Sequence, residues 1–159
     1  MKDFNAFNIK QETTSNVELS VLLVGNNPME VSVVYEKLFD LQDKIKRIDM
    51  AFSPADMLKK NHLSKPNCIL LNGSMGINPL KKIVSIVNEL SDKMISITLL
   101  KTHNRQELTS GVHEYVVRDG IDSNRIYKAL KHALKFQKEQ QMFKIKSFSG
   151  KKNMKRMFI

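Results

Sequence analysis

The sequence contains very little cysteine and no long apolar segment. Cys68 is the single cysteine among 159 residues, so the chain cannot form an internal disulfide. The four histidines are scattered, and no cluster of cysteine and histidine has the spacing of a structural zinc site. No apolar run approaches the roughly 18 residues of a membrane span, and residues 1–16 lack the apolar core of a secretory signal. We therefore expect a cytoplasmic protein.

Acidic residues are absent from the C-terminal end of the chain. The chain has a net charge of +10, and with 42% hydrophobic and 26% charged residues it has the composition of a globular domain. We expect a tail over residues 1–16, one domain over 17–140 and a basic, apolar tail over 141–159. This second tail is either a solvated segment or a contact for an anionic membrane or nucleic acid. Its basic residues are Lys144, Lys146, Lys151, Lys152, Lys155 and Arg156.

Short, nearly continuous apolar runs alternate with amphipathic stretches. Each run is too short for a helix, rich in β-formers and bounded by turn residues, which is typical of a strand buried on both faces of a sheet. The pattern predicts a three-layer α/β domain with a five-stranded parallel sheet and right-handed crossovers. The predicted strands are Leu19–Val24, Ile45–Phe52, Cys68–Leu71, Ile95–Leu100 and Tyr115–Val117.

Helical spacing and capping residues predict the connecting helices. Pro28 suits the first turn of a helix and Ser53 suits an N-cap. We expect a long last helix that starts near Asp122 or Ser123, extends past the domain and ends near Gly150, and at most a weak helix over 103–110. The apolar residues that mark these helices are Val31, Val34, Leu38 and Leu41, then Ala55, Leu58 and Leu63, then Ile83, Ile86, Val87 and Leu90, and finally Ile126, Leu130, Ala133 and Leu134.

Three segments in the predicted strand order resemble one known family. The stretch VLLVGNNP is similar to the first strand and acidic loop of response-regulator receiver domains, the CheY-like family of two-component signalling. PNCILLNGSM resembles that family's third strand and phospho-acceptor loop, and GVHEYVVRDG resembles its fifth strand. The resemblance spans about residues 17–140. It implies the flavodoxin/CheY-like doubly wound fold, with a shortened fourth helix and an extended last helix.

The same resemblance implies a degenerate phosphorylation site. Asn26 and Asn27 stand where the family has two acids that hold magnesium, and Asn72 stands where it has the aspartate that accepts a phosphoryl group. Lys101 replaces a small hydroxyl residue and Arg118 replaces a lysine. Neutral amides lack the charge that holds magnesium, and an asparagine cannot form an acyl phosphate. We expect the two cationic heads to bond the amide oxygens of Asn27 and Asn72 and to exclude the metal.

These departures favour a pseudo-receiver without enzymatic activity, cofactor or metal. The resemblance implies a signalling partner, such as a histidine kinase or a downstream target, that binds the face built from the family's fourth helix, fifth strand and fifth helix. Tyr115, at the family's switch position, and Arg125 lie on that predicted face, which is also a candidate homodimer surface. With only 19 residues after Gln140, we expect any output to pass to another protein or through the tail.

Two alternatives remain open from the sequence. One is a phosphorylatable response regulator with a relocated acceptor, for which Asp49 and Asp56 are the nearest acids in sequence. The other is an adaptor whose basic tail binds a membrane or nucleic acid.

Overall fold

The structure, a computed structural model, describes residues 18–90, 95–101 and 111–158, with side chains up to Phe143. This part of the chain contains five strands and four α-helices. A 3-10 turn, Gly73–Met75, follows the third strand. The strands are β1 (Leu19–Val24), β2 (Ile45–Ala51), β3 (Cys68–Asn72), β4 (Ser96–Lys101) and β5 (Glu114–Val117), and the helices are α1 (Pro28–Phe39), α2 (Pro54–Ser64), α3 (Ile77–Glu89) and α4 (Ser123–Phe158).

The sheet is parallel throughout and has the strand order β2-β1-β3-β4-β5. Val24, the last residue of β1, pairs with Ala51 on one side and with Leu71 on the other. The chain therefore moves outward in one direction from β1 to β2 and in the other direction from β3 to β5. This is the doubly wound, flavodoxin/CheY-like receiver fold, and the predicted fold class is confirmed.

Two apolar cores cover the two faces of the sheet. Successive side chains of β1 point to opposite faces of the sheet, as in any β-strand. Val21 and Leu23 belong to the core under α1 and α4, whereas Leu22 and Val24 belong to the core under α2 and α3. The helices thus form the two outer layers of a three-layer domain.

The predicted helix starts agree with the observed caps. The side chain of Asn27 accepts from two backbone N–H groups at the start of α1, where Pro28 occupies the first turn. The side chain of Ser53 accepts from the backbone N–H of Asp56 at the start of α2. Strand bounds agree with the predicted ones within two residues, and β2 ends at Ala51 rather than at Phe52, which is exposed.

The predicted short helix is present as α2, but the apolar residues that mark it in the sequence do not form its buried face. Leu58 and Leu63 are 46% and 64% exposed, Ala55 is exposed too, and the buried residues of this helix are Met57 and Asn61. Residues four apart share one face of a helix, and a helix of 11 residues presents a single such face to the sheet. Because Met57 and Asn61 occupy that face, the two leucines turn towards solvent.

The last helix extends further than predicted. α4 runs continuously from Ser123 to Phe158, so the expected end near Gly150 is wrong. One glycine in a helix interior is unfavourable by only about 1 kcal/mol relative to alanine, which is not enough to end a helix by itself. The apolar face of α4 packs as predicted, and Gln137 is the last buried residue of its described side chains.

One predicted element cannot be compared with the structure. The predicted weak helix between β4 and β5 lies in residues 102–110, outside the described residues. Within the described ranges, no helix combines the length and the apolar character that crossing a membrane requires.

Candidate functional site

At the carboxyl edge of the sheet β1 and β3 are neighbours, and we call the region between their ends the crevice. α1 leaves β1 towards one face and α3 follows β3 on the other, so the chain diverges at this point. In open α/β sheets, ligands bind outside the carboxyl ends of the strands at such a divergence. Asn26 and Asn27 follow β1 at this edge, and Asn72 is the last residue of β3.

The amide of Asn27 is occupied by the helix that follows it. Its Oδ1 atom accepts from the backbone N–H of Met29 at 3.0 Å and of Glu30 at 3.4 Å. These bonds satisfy N–H groups that have no partner within the helix. Asn26 is exposed, and its Nδ2 atom donates to the backbone oxygen of Met75 over 3.5 Å. Both residues therefore shape the loop, and their amides do not converge on a common ligand.

Asn72 is fully buried and lies at the centre of the crevice. Its Nδ2 atom donates to Oε2 of Glu30 at 2.9 Å, and its Oδ1 atom accepts from the backbone N–H of Ser74 at 3.5 Å. Gly25 permits this arrangement, because a Cβ atom at position 25 would lie 3.1 Å from Cβ of Asn72 and 2.6 Å from Cγ2 of Val31. The close approach of β1, β3 and α1 thus requires a residue without a side chain.

Glu30, on the first turn of α1, is the central anion of the site. Besides the bond from Asn72, its Oε2 atom accepts from the hydroxyl of Ser74. Its Oε1 atom accepts from a guanidinium nitrogen of Arg118 at 2.9 Å, which forms an ion pair. We call these four residues, Glu30, Asn72, Ser74 and Arg118, the Glu30 cluster. The cluster joins α1, the end of β3, the 3-10 turn and the end of β5.

The surroundings of Glu30 favour its ionised form. The hydrogen bond from Ser74 contributes most to holding the pKa of Glu30 below its ordinary value, partial burial opposes the shift, and the bonds from Arg118 and Asn72 add to it. Glu30 also lies in the first turn of α1, where the positive end of the helix dipole stabilises an anion. At neutral pH the crevice therefore holds a carboxylate paired with a guanidinium.

The predicted partners of the two cations are wrong. Arg118 pairs with Glu30 and not with the amide oxygens of Asn27 and Asn72, because the carboxylate offers it a charge as well as an acceptor. Lys101 ends β4, and its Nζ atom lies 5.7 Å from the ring centroid of Tyr115, within the range of a cation–π contact. The sequence places both residues at the carboxyl edge, but only Arg118 joins the cluster.

Glu30 and Ser74 were missed from the sequence. The signal for Glu30 is present: Asn27-Pro28-Met29-Glu30 has the N-cap and the acid three residues later of a capping box. In a capping box that acid bonds back to the cap residue, whereas here it reaches across the crevice to residues 72, 74 and 118. An acid in the first turn beside this edge of the sheet is therefore a candidate site residue.

Tyr115 belongs to the edge strand β5, and Arg125 lies in the first turn of α4. Tyr115 is half-buried and packs against the core under α2 and α3, and this burial raises the pKa of its hydroxyl. Arg125 is exposed near the start of α4, which packs on the opposite face of the sheet. The structure thus places these two residues towards opposite faces of the sheet at its β5 edge. The six basic residues of the tail, from Lys144 to Arg156, lie beyond the described side chains.

Several solved structures share this fold. No protein-family model matches the chain, and no curated protein matches its sequence. Chemotaxis protein CheY4 of Vibrio cholerae is 18% identical, with a TM-score of 0.59 over 74% of this chain and 99% of that chain. The signal receiver domain of an HD domain-containing protein from Pseudomonas fluorescens Pf-5 is 13% identical, with a TM-score of 0.62 over 77% and 99% of the two chains. A CheY-like receiver domain protein from Methanospirillum hungatei JF-1 is 17% identical, with a TM-score of 0.58 over 76% and 97%.

At these identities the likeness establishes the fold, which is the receiver fold of two-component response regulators. The sequence-based resemblance to receiver domains is confirmed at this level. The shared features are the five-stranded parallel sheet and the helices that cover its two faces.

The side chains in the crevice do not suit the magnesium ion that the receiver family implies. Magnesium favours charged oxygen ligands, but Asn27 uses its amide oxygen to cap α1 and Asn72 is engaged with Ser74 and Glu30. The one carboxylate of the cluster is already neutralised by Arg118. Across the described residues, no group of three or more histidine, cysteine, aspartate or glutamate side chains could hold a metal ion.

Proposed function

We propose that this chain is a pseudo-receiver, a protein-interaction module of two-component signalling that works without accepting phosphate. The observation that carries the proposal is the Glu30 cluster. A buried amide stands at the acceptor position, and the cation beside it is paired with a carboxylate of the same chain. The carboxylate and the guanidinium in the crevice therefore neutralise each other without an external ligand.

The chemistry at Asn72 supports the absence of enzymatic activity. Phosphoryl transfer to a receiver needs a carboxylate nucleophile, and an amide does not form a stable acyl phosphate. The nitrogen of Asn72 already donates to Glu30 and its oxygen accepts from Ser74. Glu30 itself is a poor acceptor of a phosphoryl group, because both of its oxygens are bound to donors. We expect no phosphorylation, no bound magnesium and no catalytic role.

The alternative of a relocated acceptor has less support. Asp49 pairs with Arg47 at 2.8 Å on the edge strand β2. The carboxylate of Asp56 accepts from the backbone N–H of Phe52, the residue before the N-cap Ser53 of α2. Both acids therefore have local structural partners, and neither lies with a cation and a hydroxyl in the crevice.

The surface around β5 is the proposed docking site for a signalling partner, such as a histidine kinase or a downstream target, in the cytoplasm. β5 is an edge strand of four residues, and edge strands and their flanking side chains are accessible to other chains. Tyr115 is a residue of this strand with Lys101 beside its ring, and Arg125 lies in the first turn of α4. A second copy of the chain is an alternative occupant of the same surface.

Incubation with acetyl phosphate and magnesium, followed by intact-mass analysis, tests the loss of phosphorylation. We expect an unchanged mass for the wild-type protein. A phosphorylated species that disappears in Asn72→Ala would overturn the proposal, and one that disappears in Asp49→Ala or Asp56→Ala would support the relocated acceptor.

A pull-down with matched variants tests the docking surface. We expect Tyr115→Ala and Arg125→Ala to lose a partner that the wild-type protein retains without any phosphodonor. Lys59→Ala is the control, because Lys59 is an exposed cation on α2, distant in the fold from β5. Equal loss in Lys59→Ala would indicate non-specific attraction by the net positive charge, and size-exclusion chromatography reports a homodimer on the same surface.

A further inference from the structure

Three hydrogen-bond donors from separate parts of the fold converge on the single carboxylate of Glu30. Asn72 donates to Oε2 from the end of β3, and Ser74 donates to the same oxygen from the 3-10 turn. Arg118 donates to Oε1 from the end of β5. None of these donors belongs to α1, so the carboxylate arrives from a different element and binds to them as a ligand would.

The backbone that carries the donors is held by bonds that do not involve Glu30. Asn72 is fully buried and is held by the backbone N–H of Ser74, and the backbone N–H of Arg118 donates to the backbone oxygen of Lys101 at 3.0 Å. One guanidinium, one amide N–H and one hydroxyl supply three donor groups and one positive charge, a combination that binds the oxygens of a small oxyanion. A carboxylate and a tetrahedral phosphate present the same kind of oxygen to such donors.

We propose that Glu30 is a built-in ligand that occupies an oxyanion site formed by Asn72, Ser74 and Arg118 and keeps free phosphate out of it. This inference deepens the proposed function, on which it rests, because it names the side chain that makes the module insensitive to phosphate. It also gives the carboxylate a positive role: it ties α1 to the ends of β3 and β5 without an external anion.

The blocking effect follows from the tether. A group attached to the same chain competes at an effective concentration of millimolar or more, whereas a free ion must lose its translational freedom on binding. Removal of the Glu30 side chain would leave Arg118 without its carboxylate partner in a half-buried crevice. Such an uncompensated charge attracts an anion from solution. The Glu30→Ala variant should therefore gain a phosphate site that the wild-type chain lacks.

Titration with inorganic phosphate, followed by ¹H–¹⁵N NMR, tests the inference, with sodium chloride of matched ionic strength in every reference sample. In Glu30→Ala we expect saturable shifts of the amides of residues 72–74 and 118, with an affinity at least about tenfold above that of the wild-type chain. Glu36→Ala is the matched control, because it removes one exposed carboxylate from the same helix without touching the crevice. The double variant Glu30→Ala/Arg118→Ala should lose the gained site.

Three results would overturn the inference: phosphate binding by the wild-type chain as tight as by Glu30→Ala, no saturable shifts in a folded Glu30→Ala, or an equal gain in Glu36→Ala. Should Glu30→Ala fail to fold, Glu30→Gln replaces it, since the amide keeps the size of the side chain and removes its charge. A folded Glu30→Gln without any gain over the wild-type chain would also count against the inference. Because this titration contains no phosphodonor, its outcome is independent of the intact-mass test of the proposed function.

Discussion

The coupling between Glu30 and Arg118 is measurable by a double-mutant cycle in which each residue is replaced by alanine, singly and together. The two side chains are 24% and 27% exposed, so the pair is partly screened by solvent. Exposed pairs contribute about 0.2–1 kcal/mol, and a hydrogen bond to a charged group contributes about 1.5–3 kcal/mol. For this intermediate exposure we expect a coupling free energy of about 1–2 kcal/mol at pH 7.

The two single variants should differ in stability. Arg118→Ala leaves Glu30 with its bonds from Asn72 and Ser74, whereas Glu30→Ala leaves the buried amide N–H of Asn72 and the hydroxyl of Ser74 without their acceptor. An unsatisfied buried polar group is unfavourable by about 1–3 kcal/mol. We therefore expect Glu30→Ala to lower the free energy of unfolding more than Arg118→Ala does, by about 1 kcal/mol.

Urea unfolding followed by circular dichroism measures all four free energies. The pair between Lys46 and Glu18 is an internal control, because its atoms are 3.6 Å apart and its side chains are 68% and 74% exposed. A cycle on that pair should give a coupling near zero. A Glu30–Arg118 coupling no larger than that of Lys46 and Glu18 would refute the view that the Glu30 cluster holds the crevice together.

Four further changes test the structure around the crevice and beyond it. Gly25→Ala should lower the unfolding free energy by about 1–3 kcal/mol, because its Cβ atom would overlap Val31, as thermal unfolding would show. Since the pKa of Glu30 is lowered in the folded chain, its ionised form stabilises the fold above its ordinary pKa, and this contribution disappears as the pH falls through the folded value. The free energies of unfolding of the wild-type chain and Glu30→Gln, measured with urea, should therefore converge between pH 7 and about pH 3. Asn72→Asp places a second carboxylate within 2.9 Å of Glu30 and removes a donor, so it should destabilise the fold and gain no label from acetyl phosphate, with exposed Asn26→Asp as control. A chain ending at Gln140 should keep its fold, because Gln137 is the last buried residue among the described side chains. The same truncation should lose any salt-sensitive binding to anionic vesicles, and unchanged binding would locate the contact within residues 17–140.

The fold was predictable because its signals are local. Five short apolar runs, interrupted by turn residues, predict buried parallel strands, and the caps at Asn27 and Ser53 mark where two helices begin. The errors occurred where local signals are weak. Which residues of α2 are buried depends on which face of the helix meets the sheet. The continuation of α4 past Gly150 depends on the summed helix-forming tendency of many residues and not on one glycine.

The candidate site was predictable in position but not in its contacts. The carboxyl ends of parallel strands share one edge of the sheet, so the order of the strands alone brings residues 26, 27, 72, 101 and 118 to that edge. Which of them touch is a matter of tertiary distance. Arg118 and Glu30 are 88 positions apart in sequence, and nothing in the local pattern of either residue indicates the other.

The contacts of Glu30 also make the departures from the receiver pattern a single coupled set. Three neutral amides at this edge would leave the cation of Arg118 half-buried without a counter-charge, which is unfavourable. Glu30 supplies that charge, Asn72 donates to it where a carboxylate would repel it, and Ser74 completes its hydrogen bonds. The amide of Asn72 is thus compatible with the neighbouring carboxylate of Glu30. The buried amide of Asn72 and the Glu30–Arg118 pair therefore belong to one physical arrangement.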